Sequence, residues 1–357
     1  SGPFVVGEPP SDDNPLPVKL VDGAAAVGLF AKASTGSVAF SLPTTSTISL
    51  LAGTVVELKG WLHVFSSDTP VVLPALTAGV DYAIYVCSDG SVRADASFNA
   101  PAGYDAVDCR RIGGFHYALG AGAAAQAGGG SSPVINPYSV WDLRWRPKCP
   151  DPRGMALVNN TFWADIYLCG VDHHVNGTSA YNVTIADGSS PPKVHPVFGG
   201  NGSTTYGSFT WYEANELMKG HGKGLPDYGE FAALAYGVTE AGSSWVEPAV
   251  TALDALRTSK WGIVQATGNM WVWGRDFGFI PSGADFTALL GSSAKAQTEG
   301  LGSVYTFGSS YGLCAALFGG SWINGPNSGS RSSVWTAPPW SYAVTFGARG
   351  RSDHLAY

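Results

Sequence analysis

The sequence predicts a mainly β protein, a β-sandwich followed by an α+β C-terminal part. Three observations carry that prediction. Between Val18 and Tyr117 the chain breaks into short runs of β-forming residues separated by turn residues at regular intervals, the pattern of a sandwich. The 357 residues include 47 glycines and 12 tryptophans while only 13% are charged, which fits turn-rich, aromatic-packed structure and not disorder. Helical spacing of apolar residues is confined to two places, near residues 210–218 and 225–236.

Taken in order, residues 1–17 carry five prolines and three acidic residues without periodicity, and they are expected to form an irregular N-terminal arm. Residues 18–150 are expected to form the sandwich domain. Its strands include the alternating Thr54-Val-Val-Glu-Leu, then Trp61-Leu-His-Val-Phe, Pro70-Val-Val-Leu and Asp81-Tyr-Ala-Ile-Tyr-Val-Cys. Ser88-Asp-Gly-Ser is a hairpin signal leading into Val92-Arg-Ala. Asp89, Asp95, Asp105 and Asp108 read as turn residues and not as an acid/base or metal set. The Gly/Ala-rich stretch 118–133 reads as a long mobile loop. Val140-Trp-Asp-Leu-Arg-Trp-Arg-Pro reads as one strand, and the domain boundary falls near Pro150.

Residues 151–357 form the second part. Phe162-Trp-Ala-Asp-Ile-Tyr-Leu-Cys is a strand. Thr210 is placed to N-cap a helix burying Ala214, Leu217 and Met218, and Asp227 with Glu230 is a capping-box pattern ahead of Phe231 and Leu234. Residues 250–259 suit either a third short helix or a loop. Trp261-Gly-Ile-Val-Gln, Gly268-Asn-Met-Trp-Val-Trp-Gly and Ser303-Val-Tyr-Thr-Phe are aromatic-rich strands. The tail runs from Ala316-Leu-Phe-Gly-Gly-Ser-Trp322 to Gly347-Ala-Arg-Gly-Arg-Ser-Asp-His354. Between its two glycine turns lie small, polar and aromatic residues with Arg331 as the one ionised side chain. Tyr, Trp, Ser, Asn and Gly supply rigid contact area and adaptable hydrogen bonds, the composition of a paratope.

Catalytic signals are thin. The chain has no G-x-S-x-G, no H-E-x-x-H and no EF-hand loop, and its Gly-x-Gly runs lack the strand-to-helix context of a phosphate loop. His173-His174 reads as a solvated turn, because neighbours on an extended chain point apart and make poor joint metal ligands. Lys219, His221 and Lys223 read as cations placed at a helix C-terminus. A structural Ca²⁺ would draw on Asp276, Asp285 and Glu299, although no diagnostic spacing supports one, and no other cofactor is expected. The five cysteines form no C-x-x-C pair and read as buried reduced thiols, with a Cys149–Cys169 bridge the alternative. The net charge of −7 comes without a basic cluster, which argues against a nucleic-acid partner, and no stretch is long and apolar enough for membrane insertion. The asparagines of the four N-x-S/T triplets at 159, 176, 182 and 201 read as chance matches. The first residues carry no signal-peptide pattern.

Leu225-Pro-Asp-x-x-Glu-Phe, Gly268-Asn-Met-Trp-Val-Trp, Phe318-Gly-Gly-Ser-Trp and Gly347-Ala-Arg-Gly occur in this order. The series resembles the C-type-lectin-like fold shared by formylglycine-generating enzymes and by the variable proteins of diversity-generating retroelements. The enzyme pattern would place a cysteine pair near the last motif, and none stands there. Ala75-Leu-Thr-Ala-Gly-Val-Asp-Tyr-Ala-Ile-Tyr-Val-Cys, Gly113-Gly-Phe-His-Tyr-Ala, Asp151-Pro-Arg-Gly-Met and Tyr181-Asn-Val-Thr-Ile-Ala-Asp-Gly-Ser resemble the major tropism determinants of bacteriophages from Val18 to His354. The N-terminal arm departs from that family's pattern.

The resemblance implies a non-enzymatic, homotrimeric receptor-binding protein at the tip of a virion tail fibre. It would associate with other tail-fibre proteins and bind a bacterial surface protein or glycan. Its region 316–354 would be diversified by adenine-directed mutagenesis at Ser321, Ile323, Gly325, Asn327, Val334, Thr336, Ala337, Ser341, Ala343, Thr345, Phe346 and Arg351. All are residue types reachable from an Asn codon by changing its adenines. Trp322, Trp335 and Trp340 are not, which marks them as scaffold or fixed anchors. Gly319, Gly320, Gly347, Arg349 and Gly350 read as frame residues. A carbohydrate-binding lectin module without diversification is the alternative.

Overall fold

A computed structural model describes residues 28–280 and 312–356, together with the strands Val5–Val6, Pro17–Lys19 and Val304–Tyr305. The chain divides into two compact units. One comprises residues 1–118, 134–146 and 355–357; the other comprises 119–133 and 147–354.

In the first unit three sheets contribute to one core. The antiparallel strands Thr54–Leu58 and Trp61–Phe65 are flanked by Phe30–Ala31 and by the pair Val5–Val6 and Pro17–Lys19. The N-terminal arm 1–17, expected to be irregular, therefore holds the short strand Val5–Val6, whose partner Pro17–Lys19 begins at the arm's end. A second sheet is built on the long strands Val80–Cys87 and Cys109–Ala118, and a small third sheet on Phe40–Thr44 and Thr47–Leu50. Phe40, Leu50, Phe65, Ile84 and Phe115 meet between them. Asp89 and Asp95 accept backbone N–H bonds two residues on, from Ser91 and Ser97, as turn residues do. The segment 140–147 is a hairpin and not one strand: Asp142 pairs with Trp145, and its carboxylate accepts the N–H groups of Arg144 and Trp145, closing the turn.

The Gly/Ala-rich stretch expected to be mobile is pinned into the second unit. Ala123 N–H donates to Ser259, Gly128 to Gly237 and Gly129 to Ala255. Small side chains allow this, since backbone packs directly on backbone there.

The second unit joins two sheets to two helices. Met155–Val158, Phe162–Asp165 and Arg351–Ala356 form one antiparallel set. Trp271–Ile280 lies between Gly312–Phe318, antiparallel, and Phe346–Gly347, parallel, and Ser333–Ala337 pairs outside Gly312–Phe318. The helices Trp211–Gly220 and Tyr228–Leu234 each carry a full capping box, Asp227 with Glu230 as the sequence predicted, and Thr210, predicted as an N-cap alone, with Glu213. Residues 250–259 contain a single turn, Ala255–Arg257. A bulge in Trp271–Ile280, after Trp273, seats both helix starts. The Trp211 indole donates to Gly274 O, Arg275 N–H donates to Pro226 O, and the Asp276 carboxylate accepts Tyr228 N–H.

The tail is anchored by buried charge. The Arg349 side chain is fully buried, and its guanidinium donates to four carbonyls, those of Asp165, Ile166, Val264 and Gln265, at 2.7–3.2 Å. Burial lowers its pKa to about 10, so it stays protonated at neutral pH. Beside it, the Lys223 ammonium lies 2.5 Å from the Asp165 carboxylate, which also accepts from Thr178 and from Gly350 N–H. Burial works against the lysine's charge, yet Asp165, with Cys149 and Asp151 adding to it, holds the Lys223 pKa above its ordinary range. Lys223 is thus an interior partner of the tail strand and not a solvated cation at a helix end.

Removing one member of this pair leaves the other as an unmatched buried charge. Lys223→Met is expected to cost about 3–5 kcal/mol in urea denaturation followed by tryptophan fluorescence. Lys223→Met combined with Asp165→Asn should recover part of that loss; a double variant as unstable as Lys223→Met would refute the pairing account.

Candidate functional site

Two features shape the tail. The first is the Gly319–Gly320 turn, both residues at positive φ, 93° and 84°. A side chain at Gly319 would strike the Phe231 ring at 2.7 Å, so no other residue fits this bend without displacing that ring. Gly319 N–H donates to Ser332 O, and its carbonyl accepts Gly268 N–H and Gly329 N–H. The second feature is a set of main-chain bonds that close the remainder. Trp322 N–H reaches Asn269 O, Pro339 O accepts from Trp211, Ala343 O accepts from Gly188 and Phe346, and Thr345 O accepts from Trp271. The shape of the segment is therefore set largely by backbone groups, which do not depend on which side chains it carries.

The residues singled out in the sequence fall into groups. Ile323 and Asn327 are exposed, Ile323 at 63%. Val334, Thr336, Ser341, Ala343, Thr345 and Phe346 are half-buried. Phe346 packs edge-on against Trp273, 5.3 Å between ring centroids. Ser321, Gly325 and Ala337 are buried. Ser321 Oγ donates to Asn324 Oδ1 at 2.6 Å, and Ala337 joins the core beneath the sheet. These three present no side chain to a partner, so the twelve positions named from the sequence do not form one exposed set. Arg351 is half-buried and ion-paired with Glu230 and Asp353.

The three tail tryptophans also separate. Trp322 is buried, Trp335 packs edge-on against Phe318, and Trp340 is 64% exposed beside Tyr342 at 60%. The sequence reading did not single out Tyr342. It also passed over Trp245, whose ring covers Gly325 from a separate loop.

Among the described residues no group of three or more His, Cys, Asp or Glu is arranged to hold a metal ion. Asp276 is engaged with Tyr228 N–H; Asp285 and Glu299 lie outside the described residues. None of the five cysteines forms a disulfide, all are buried, and burial pushes every thiol pKa up, so Cys314 is a poor nucleophile.

His173 and His174, expected in a solvated turn, begin the short helix His173–Asn176, and His173 is fully buried. Its Nδ1 lies 2.8 Å from His221 Nε2 and its Nε2 lies 2.6 Å from Lys193 O. The carbonyl can only accept, so His173 Nε2 carries the proton and Nδ1 accepts from His221. His195 stacks on His173 at 5.9 Å and meets His221 edge-on at 4.8 Å. Burial, followed by unfavourable interaction with His173, Lys223 and His195, lowers the pKa of His221 to about 3; burial lowers that of His173 to about 4 and depresses His195.

A family model described as the Mtd second domain matches residues 38–142. A protein of Bordetella phage BPP-1 named "Tail fiber receptor-binding protein" is 50% identical over 336 residues, 91% of this chain and 84% of that protein. Solved structures of the Major Tropism Determinant U1 and M1 variants superpose with a TM-score of 0.83 at 47% and 48% identity. They cover 96% of this chain and 93% and 92% of theirs.

The imidazole cluster makes a prediction about acid. The unfolded chain takes up protons near pH 6.5, while folded His173 and His221 resist them until about pH 4 and 3. Stability is therefore unaffected by these groups above about pH 6.5 and falls as pH drops below it, by roughly 1.4 kcal/mol per pH unit for each imidazole. His221→Gln, whose amide can still donate to His173, should show a shallower decline between pH 6.5 and 4.5 in urea titrations; an unchanged slope would count against the assignment.

Proposed function

Because this chain belongs to the major tropism determinants, the receptor-binding proteins of phage tail fibres, we propose that it recognises a bacterial surface receptor through its C-terminal tail. Its place is the virion tail fibre, and its role is recognition without turnover. The observation that carries the reading is the division within the tail. Ile323, Asn327, Trp340 and Tyr342 project to solvent from a backbone whose hydrogen bonds are met elsewhere. Such a segment can change its outward side chains without changing shape, which a diversified binding surface requires.

On this reading Ile323, Asn327, Val334, Thr336, Ser341, Ala343, Thr345 and Phe346 form the displayed set, with Trp340 as a fixed aromatic anchor. Ser321, Gly325 and Ala337 tune the support beneath, and Arg351 acts through its ion pairs at the edge. Retroelement-driven diversification would act on these positions. Sibling phages with 321–351 as uniform as the first unit would remove that part of the proposal. Three copies in a homotrimer would add avidity to weak single contacts. Sedimentation equilibrium returning a monomer would remove the trimer.

The display and its support are separable by experiment. Ile323→Asp and Trp340→Ala should each lower adsorption of the purified protein to cells of a strain it binds by about tenfold or more, the scale of interface hot spots, with the melting midpoint unchanged. Ser321→Ala should instead lower stability by about 1 kcal/mol, since it removes a hydrogen bond inside the turn. Unimpaired adsorption of both Ile323→Asp and Trp340→Ala would overturn the reading.

A further inference from the structure

The loop 241–246 lies outside the tail, yet it is fastened to it. Ser243 Oγ donates to Trp322 O at 2.7 Å and accepts Gly325 N–H at 3.2 Å, and Ser244 N–H donates to Gly268 O. Both ends of the 322–325 turn are thus tied to one serine. The Trp245 ring then lies over Gly325: a Cβ placed there would stand 2.6 Å from the indole Cη2 and 2.8 Å from Cζ2. Any side chain at 325 would push the indole aside.

Two features of Trp245 are hard to attribute to folding. It is 67% exposed, and so contributes little burial. Its backbone also sits at φ 60°, the left-handed region that a bulky residue enters only against steric resistance. Ala241, in the same loop, shares that conformation at φ 55°. Of the five other non-glycine residues described at positive φ, Lys59, Asn159, Asn160, Asn182 and Gln265, three are asparagines, the type that tolerates it, and none is aromatic. A tryptophan held in a strained conformation and exposed over two thirds of its surface fits a contact residue better than a core residue.

We infer that Trp245 is a fixed anchor of the receptor-binding face, contributed from outside the tail and aimed at a protein surface. The inference rests on the tail being that face. The partner class follows from the neighbours. Val246 is 70% exposed and Ile323, two residues from the covered glycine, is exposed as well. Val246 and Ile323 beside the indole match the apolar centre of a protein–protein contact, and the exposed Glu247 and Asn327 beyond them match its polar rim.

The test uses the full chain and intact cells of a strain to which it adsorbs. Trp245→Asn accommodates the left-handed backbone and removes the indole. It should keep or raise the melting midpoint while lowering adsorption about tenfold or more. Trp245→Phe, which retains a ring, should recover part of the adsorption. A large fall in melting midpoint, or a changed oligomeric state on light scattering, would make Trp245 a structural or intersubunit residue and overturn the inference. So would normal adsorption by Trp245→Asn when Ile323→Asp and Trp340→Ala are defective. If those two also adsorb normally, the reading of the whole face fails instead. Shaving the cells with protease should abolish binding; loss on periodate oxidation with survival of protease treatment would overturn the protein assignment.

Discussion

The charges buried under the tail strand are the constraint on which the second unit depends. Arg349 donates to carbonyls on two separate segments, 165–166 and 264–265, and so fixes where the tail strand can lie. Asp165 and Lys223 complete the arrangement from an adjacent strand and from the end of the Trp211–Gly220 helix. Such interior charges are costly to desolvate, and an apolar replacement of similar volume can be as stable. Their value lies in geometry: a guanidinium with four acceptors admits one placement of the chain, where a leucine would admit several.

That single placement lets the tail be two things at once. Its main chain is committed to neighbours on every side, through Asn269, Trp211, Gly188 and Trp271, while its outward side chains are committed to little. The capping boxes and the bulge after Trp273 extend the same logic. They fix the helix starts against the central strand, so that Pro339 O finds the Trp211 N–H. Recognition is then a matter of a few exposed aromatic and aliphatic groups over a support that does not need to move.

Much of this was legible in the sequence because the signals were local. Thr210 with Glu213 and Asp227 with Glu230 each declare a helix start within four residues. Gly319 and Gly320 announce a turn that their positive φ angles require. What was not legible depends on pairs far apart in the chain. Lys223 and Asp165 are separated by 58 residues, and nothing near either identifies its partner. His173 meets His221 across 48 residues, so a His-His dipeptide gave no hint of an interior imidazole stack. The burial of Ser321 depends on its bond to Asn324 ahead of the one-turn helix Gly325–Asn327, and that of Ala337 on the core beneath its strand, neither of which short-range pattern reveals. Trp245 had one available signal, a Gly-Ser-Ser-Trp string that echoes the Gly-Gly-Ser-Trp turn it touches.

The five cysteines carry a consequence for where such a molecule can be made and used. None is bridged, all are buried, and burial holds each thiol in its protonated form. A thiol that does not ionise neither exchanges with glutathione nor oxidises readily in air. The fold therefore needs no oxidative maturation step and no chaperoned bridge formation. It can reach its final shape in the reducing interior of a cell and keep that shape unaltered in the open medium, where a particle must wait for its next encounter.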